Sequence, residues 1–391
     1  MTFVVLALIV AAGLVGPLLA WSDKLRIPVV IGELAAGIVV GGSGLRWVDP
    51  TEPTLTFLAD IGFATVMFVA GSHVPVRDRR LVAGSRGAVA RLAVVVVVAV
   101  GLAWAVAHIF GTGHTGLYAV LFASSSAAVI MPMASSLRLT GPTWTHLIPQ
   151  IALADALGIV ALPLVLDPGQ AGASAIGAVL VIGCSAAVFG LLWFADRRGW
   201  LARAHDKSRS RDFALELRVS LLILVALAAL AVQTHVSIML AGFGLGIAVA
   251  AVGEPRRLAR QLFGLTEGVF GPIFFVWLGA SLDLTALVHH PAMIGLGLAV
   301  GAAAVVAHGV AALFRLPLSG ALMTSAQLGL PVAAVTIGSQ TGRLDPGEGA
   351  ALLLGALVTI ATATVAGRRL ARQAAEPAVA DPPVKPSADP T

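Results

Sequence analysis

Asp155 is the only Asp, Glu, Lys or Arg between Arg138 and Asp167, set in QIALADALGIVALPLVL near the middle of an apolar run from about Thr145 to Leu166. A charged side chain at the centre of a bilayer costs about 2.5–3.5 kcal/mol on insertion scales. A carboxylate kept at that depth points to handling of ions or protons. Two other apolar runs carry hydroxyl groups at comparable depth: Ser124, Ser125 and Ser126 before Pro132, and Thr324 and Ser325 with Gln327, Gly329 and Pro331. Hydroxyl, carbonyl and carboxylate oxygens suit hard cations rather than soft metals. Asp155, Ser124, Ser125, Ser126, Thr324 and Ser325 therefore form the candidate cation- and proton-binding group.

Three further acids fall in other apolar runs and are pathway or structural candidates. Glu33, in GELAAG, reads as structural, and Asp60 as a helix-end acid near the outer face. Glu267, before Pro272, fits either role. His308 lies about two turns from the inner end of its run; a packed neutral imidazole is the plain reading, a sensor of cytoplasmic pH the sharper one. His289 and His290 offer too few ligands for a metal site. No phosphate loop, zinc-type His cluster or Ser-His-Asp set is evident, so the reading is a non-enzyme without a cofactor.

The elements that must position these residues are helices in lipid. The 391 residues are 58% hydrophobic and only 12% charged, with mean hydropathy +0.94; soluble domains carry about 25% charge. Windows of about 20 apolar residues give thirteen candidate spans: 3–21, 28–45, 55–73, 88–109, 116–137, 145–166, 172–194, 213–232, 235–252, 260–282, 292–314, 318–341 and 347–366. With the N-terminus outside, 23 of the 25 Lys and Arg residues fall on the cytoplasmic side, leaving Arg46 and Arg343 outside. That asymmetry follows the positive-inside rule and accounts for the net charge of +5 without nucleic acid. The first run is too long for a signal peptide and reads as a span. The Pro/Ala/Asp-rich tail, 374–391, reads as a disordered cytoplasmic segment, with no second soluble domain expected. The single cysteine, Cys184, cannot form an internal disulfide, and the preference for Arg over Lys suggests a GC-rich bacterial source.

Segments recur at an offset of roughly 200–209 residues. VIGELAAGIVV around Gly37 resembles LAGFGLGIAVA around Gly246; ATVMFVAGS near Gly71 resembles GPIFFVWLGAS near Gly279; ASSSAAVIMP resembles TSAQLGLP. Each pair is seven spans apart, an odd number, so the copies face opposite ways. Inverted repeats with sites at the midplane are the architecture of secondary transporters. A proline with small polar residues at matching places in the fifth and twelfth spans suits two interrupted, crossing helices, whose half-helix ends supply partial charges.

The stretches RIPVVIGELAAGIVVGGSGL, LADIGFATVMFVAG, ASSSAAVIMP, ALADALGIVALPL and GPIFFVWLGASLDL resemble the monovalent cation:proton antiporters of the second branch, the Kef/Nap-type sodium/hydrogen exchangers. The resemblance runs from Arg26 to about Ala366. It implies an all-α inverted-repeat antiporter fold with two crossed discontinuous helices, and matches Asp155 to the essential aspartate. It also implies a homodimer in the plasma membrane, with a moving core (spans about 55–166 and 260–366) and a dimerisation part (spans about 3–45 and 172–252) within 1–366. Two features depart from that pattern: Ala154 stands where many electrogenic relatives carry a second acid, and the later core spans lack a Lys or Arg within the membrane. The expectation is electroneutral exchange of Na⁺ or K⁺ for H⁺ through one acid. A channel-like or sensor protein of the same fold, or a symporter of an organic solute, are the alternatives. The nucleotide-binding domain of gated relatives is not expected.

Overall fold

The chain is described by a computed structural model over residues 1–21, 29–72, 76, 79–139, 141–166, 168–200, 203–204, 207–208, 213–234, 236–252, 255–282, 284–289, 291–314 and 316–375. His290 and tail residues 376–391 lie outside the described residues. Every regular element among those described is a helix, which is how an apolar chain satisfies its backbone in lipid. Nine of these helices are long and apolar enough to cross a membrane: Phe3–Ala20, Pro53–Ser72, Gly87–Phe110, Thr143–Leu166, Ala175–Arg197, Leu215–Gln233, Arg260–Ala280, Pro291–Phe314 and Glu348–Ala374. Four shorter apolar helices, Val29–Val40, Thr115–Met131, Ile238–Val252 and Gly329–Ser339, lie in the remaining expected spans.

The repeat read from the sequence reappears as paired contacts. A Cβ placed on Gly37 would strike the carbonyl oxygen of Val276, and one on Gly246 would strike that of Phe68. A Cβ on Gly279 would strike the Leu34 carbonyl, and one on Gly71 that of Phe243. Corresponding partners differ by 208 or 209 positions throughout, the offset of the repeat. Helix Val29–Val40 thus packs backbone to backbone on Gly271–Ala280 as Ile238–Val252 packs on Pro53–Ser72. Small residues are what allow membrane helices this approach. We refer to the two contacts as glycine seams.

Pro53–Ser72 begins with a built cap. Glu52 accepts from the Leu55 amide at 2.8 Å and from the Met1 ammonium at 3.0 Å, and these bonds, the ammonium first, pull its carboxyl down to about 2.

Two helices are interrupted. Thr115–Ala123 stops at Ser124, whose backbone is extended (φ −80°, ψ 160°), and helix resumes as Ala127–Ser136. Leu318–Met323 stops at Thr324, and helix resumes as Gly329–Gln340. The breaks sit on the hydroxyl residues, not on the prolines. Pro331 occupies the first turn of its half-helix, where a missing N–H costs nothing, and Pro132 lies within Ala127–Ser136.

Candidate functional site

The two interruptions cross and bond to each other. The Ser126 amide donates to the Ala326 carbonyl at 2.8 Å, and the Ser125 hydroxyl donates to the Thr324 carbonyl. Asp155, on helix Pro142–Leu166, is aimed at the same place: its Oδ2 accepts from the Ala127 amide at 3.0 Å. Ala127 opens the second half of the first interrupted segment, so the carboxylate caps a half-helix N-terminus, where free N–H groups and the helix dipole favour an anion. A Cβ on Gly158 would meet Leu330 Cδ2 at 2.5 Å and Ser124 Cβ at 3.2 Å, so the Asp155 helix touches both crossed segments. Asp155 is 5% exposed, and Ser124, Ser125, Ser126, Thr324 and Ser325 are all buried. All six expected site residues meet at one crossing.

The hydroxyls of Ser124 and Ser325 donate to their own half-helices, and that of Thr324 lies between the Ala321 carbonyl and His308 Nδ1. Ser124 bonds the Leu121 carbonyl at 2.8 Å, Ser325 the Leu322 carbonyl at 2.8 Å, and Thr324 lies 2.8 Å from the Ala321 carbonyl. They sit at the C-terminal ends of the first half-helices, on carbonyls that also accept the Ser124, Thr324 and Ser325 amides at 3.1–3.2 Å. A hydroxyl that donates its proton still has oxygen lone pairs to offer a cation, so these bonds are compatible with the expected ligand role. Asp155 is the carboxylate of this group.

Glu33 is buried, and Gly16 comes so near that a Cβ there would meet the Glu33 Cγ at 2.8 Å. Asp60 is half-buried in Pro53–Ser72, and Glu267 is exposed on a π-helical turn, Thr266–Phe270. Among the described residues, no hydrogen bond joins these three acids to the crossing.

Sequence reasoning missed several partners. His308 is fully buried, with Nδ1 2.8 Å from Thr324 Oγ1 and Nε2 2.9 Å from the Ser124 carbonyl oxygen. It therefore touches both interruptions, a role that its apolar surroundings did not signal. Gln327 Nε2 donates to the Leu121 carbonyl at 2.5 Å and reaches the Ser124 carbonyl at 3.5 Å, while its amide donates to Thr359 Oγ1 at 3.2 Å. Arg91, expected at a span end in the cytoplasm, has a buried side chain that donates through Nε to Gln150 Oε1 and to the His146 carbonyl, both at 2.8 Å. At the start of the first interrupted helix, Glu348 is buried completely. Its Oε1 meets Tyr118 Oη at 2.6 Å and His114 Nδ1 at 2.8 Å, and its Oε2 accepts from the Asp345 amide at 2.9 Å.

The sodium/hydrogen exchanger transmembrane family matches residues 6–372. YjbQ of Bacillus subtilis, provisionally named a Na⁺/H⁺ antiporter, is 24% identical over 395 residues, covering 95% of this chain and 64% of YjbQ. A Methanocaldococcus jannaschii protein, provisionally named Na⁺/H⁺ antiporter 3, is 28% identical over 152 residues, 38% of each chain. The chain thus spans less than two thirds of the length of either relative. The solved structure of the sodium proton antiporter MjNhaP1 from the same archaeon superposes with a TM-score of 0.65 at 15% identity, covering 95% of this chain and 98% of that one. The two folds are alike.

Proposed function

The chain belongs to the sodium/hydrogen exchanger transmembrane family, and from that membership we propose that it exchanges a monovalent cation, Na⁺ or K⁺, for H⁺ across the plasma membrane through Asp155. The observation that carries the reading is the Asp155 carboxylate held against the Ala127 amide at the crossing of two interrupted helices. A carboxylate in that place binds either a proton or a cation, and competition between the two is what couples their opposed movements. The thirteen-span topology, with the N-terminus outside and the C-terminus in the cytoplasm, belongs to this proposal and rests on the helices and the distribution of basic residues.

The seams bear on which part moves. Pro53–Ser72 and Gly271–Ala280 are locked to Ile238–Val252 and Val29–Val40 by backbone contact. We therefore start the moving core later than expected from sequence, at Arg79 rather than about 55 and at Pro291 rather than about 260, and run it to Leu166 and to the end of the last helix at Ala375. Phe3–Ala20, Ala175–Arg197 and Leu215–Gln233 leave most of their surface uncovered, which supports their facing lipid and a second copy. Light scattering of the detergent-solubilised protein is expected to give the mass of a homodimer; a monomer at all concentrations would end that part of the proposal.

One acid at the crossing supports one-for-one exchange. In proteoliposomes with a pH-reporting dye, added Na⁺, K⁺ or Li⁺ should evoke saturable proton movement for at least one ion. An imposed membrane potential at equal ion gradients should drive none. Silence with every cation would sink the exchange reading and favour a channel, a sensor or an organic-solute carrier; potential-driven flux would sink electroneutrality alone.

A further inference from the structure

The carbonyl oxygens at the end of an interrupted helix are natural ligands for a dehydrated ion, and potassium filters replace the hydration shell with rings of them. Here those of the first interrupted helix are occupied. The Ser124 carbonyl accepts from His308 Nε2 at 2.9 Å, and the Leu121 carbonyl accepts from Gln327 Nε2 at 2.5 Å. Because Nε2 faces a carbonyl, it must carry a proton, and Nδ1 is left to meet the Thr324 hydroxyl at 2.8 Å. The imidazole is thus fixed at both nitrogens. His308 comes from helix Pro291–Gly309, and Gln327 from the other interruption, so two separate elements converge on one helix end.

We propose that His308 is a clamp that withholds the Ser124 carbonyl oxygen from the transported ion and so sets ion preference; the Leu121 carbonyl beside it is taken by Gln327 together with the Ser124 amide and hydroxyl. With those oxygens taken, the ion meets the Asp155 carboxylate and keeps part of its own water. That arrangement suits a small, strongly hydrated cation (Na⁺ or Li⁺) over K⁺, which is best held by many carbonyl oxygens at once. The inference rests on the exchange reading for its transported ion, but its binding consequence can be measured without flux. His308 is a positioning residue, acting through the carbonyl it occupies.

The test is cation-dependent thermal stabilisation of the purified full chain, with apparent KM for Na⁺ and K⁺ from proteoliposome flux as a second readout. Wild type should be stabilised at lower Na⁺ than K⁺ concentration. His308→Ala should narrow that K⁺-to-Na⁺ ratio by about fivefold or more, because a freed Ser124 carbonyl favours the larger ion; Gln327→Leu, which leaves the Leu121 carbonyl bonded to the Ser124 amide and hydroxyl, should change it less. His308→Gln, whose amide can still donate to the Ser124 carbonyl, should restore it. Should His308→Ala not fold, His308→Leu, which fills the same space without a donor, is read against His308→Gln instead. An unchanged ion ratio in folded His308→Ala or His308→Leu would overturn the clamp, whatever happens to the rate. A wild type that binds neither ion would overturn both clamp and exchange; one that binds with the stated ranking but moves no protons would sink exchange alone.

Discussion

Asp155→Asn is expected to abolish cation-evoked proton movement, a loss of about 10²-fold or more, as when a positioned proton-transfer group is removed. The variant should remain folded. Asparagine has the shape of aspartate, and its side-chain oxygen can still accept from the Ala127 amide, the bond that the carboxylate makes at 3.0 Å. What it loses is the ability to alternate between a protonated form and an anion. Thermal unfolding should therefore match wild type within about 1 kcal/mol, the range expected when no packing or bond is lost, while flux disappears. A variant with undiminished exchange would show that some other group carries the proton; Glu33, Asp60 and Glu267 would be the next to test. Asp155→Glu separates charge from position. It keeps the ionisable group but lengthens its stem beside Gly158, where the crossed segments already press close, so slow residual exchange is expected.

Gly37→Val and Gly246→Val should prevent the protein from folding, and to a similar degree. At each position a Cβ would run into a main-chain carbonyl oxygen, that of Val276 or of Phe68, and neither can swing aside as a side chain tip would. Substituted Gly183 and Gly190 are the controls: a Cβ at either meets nothing within 4 Å, and Gly→Ala inside a helix contributes about 0.5–1 kcal/mol. Size-exclusion profiles and yield after detergent extraction read the difference. Monodisperse Gly37→Val and Gly246→Val at wild-type yield would mean that the seams tolerate opening. Unequal damage would show that the two repeats do not bear the same load.

These seams were legible in outline before the structure. The recurrence of VIGELAAGIVV and LAGFGLGIAVA identified Gly37 and Gly246 as counterparts, because close helix approach can be met only by residues without a side chain. Asp155 was legible for the opposite reason: a charge in lipid stands out against its surroundings. The hydroxyl residues were picked out as a group, yet the carbonyls they bond were not readable, since those contacts depend on where each helix breaks. His308 and Gln327 were noticed in the sequence, but their roles were not, because their partners lie 184 and 206 positions away. Arg91 escaped because charge counting placed it with the cytoplasmic basic residues, whereas its guanidinium turns inward to Gln150.

The nine-residue helix Thr115–Ala123 is held at both ends. Its entry is bound through His114 and Tyr118 to Glu348, and its exit through Leu121 and Ser124 to Gln327 and His308. At 1.5 Å per residue it is a strut about 14 Å long, too short to bend and pinned at each tip. A displacement of the loop before it is then passed to the crossing, as a push on one end of a rod arrives at the other. The loop 111–114 is thereby tied mechanically to the Asp155 site.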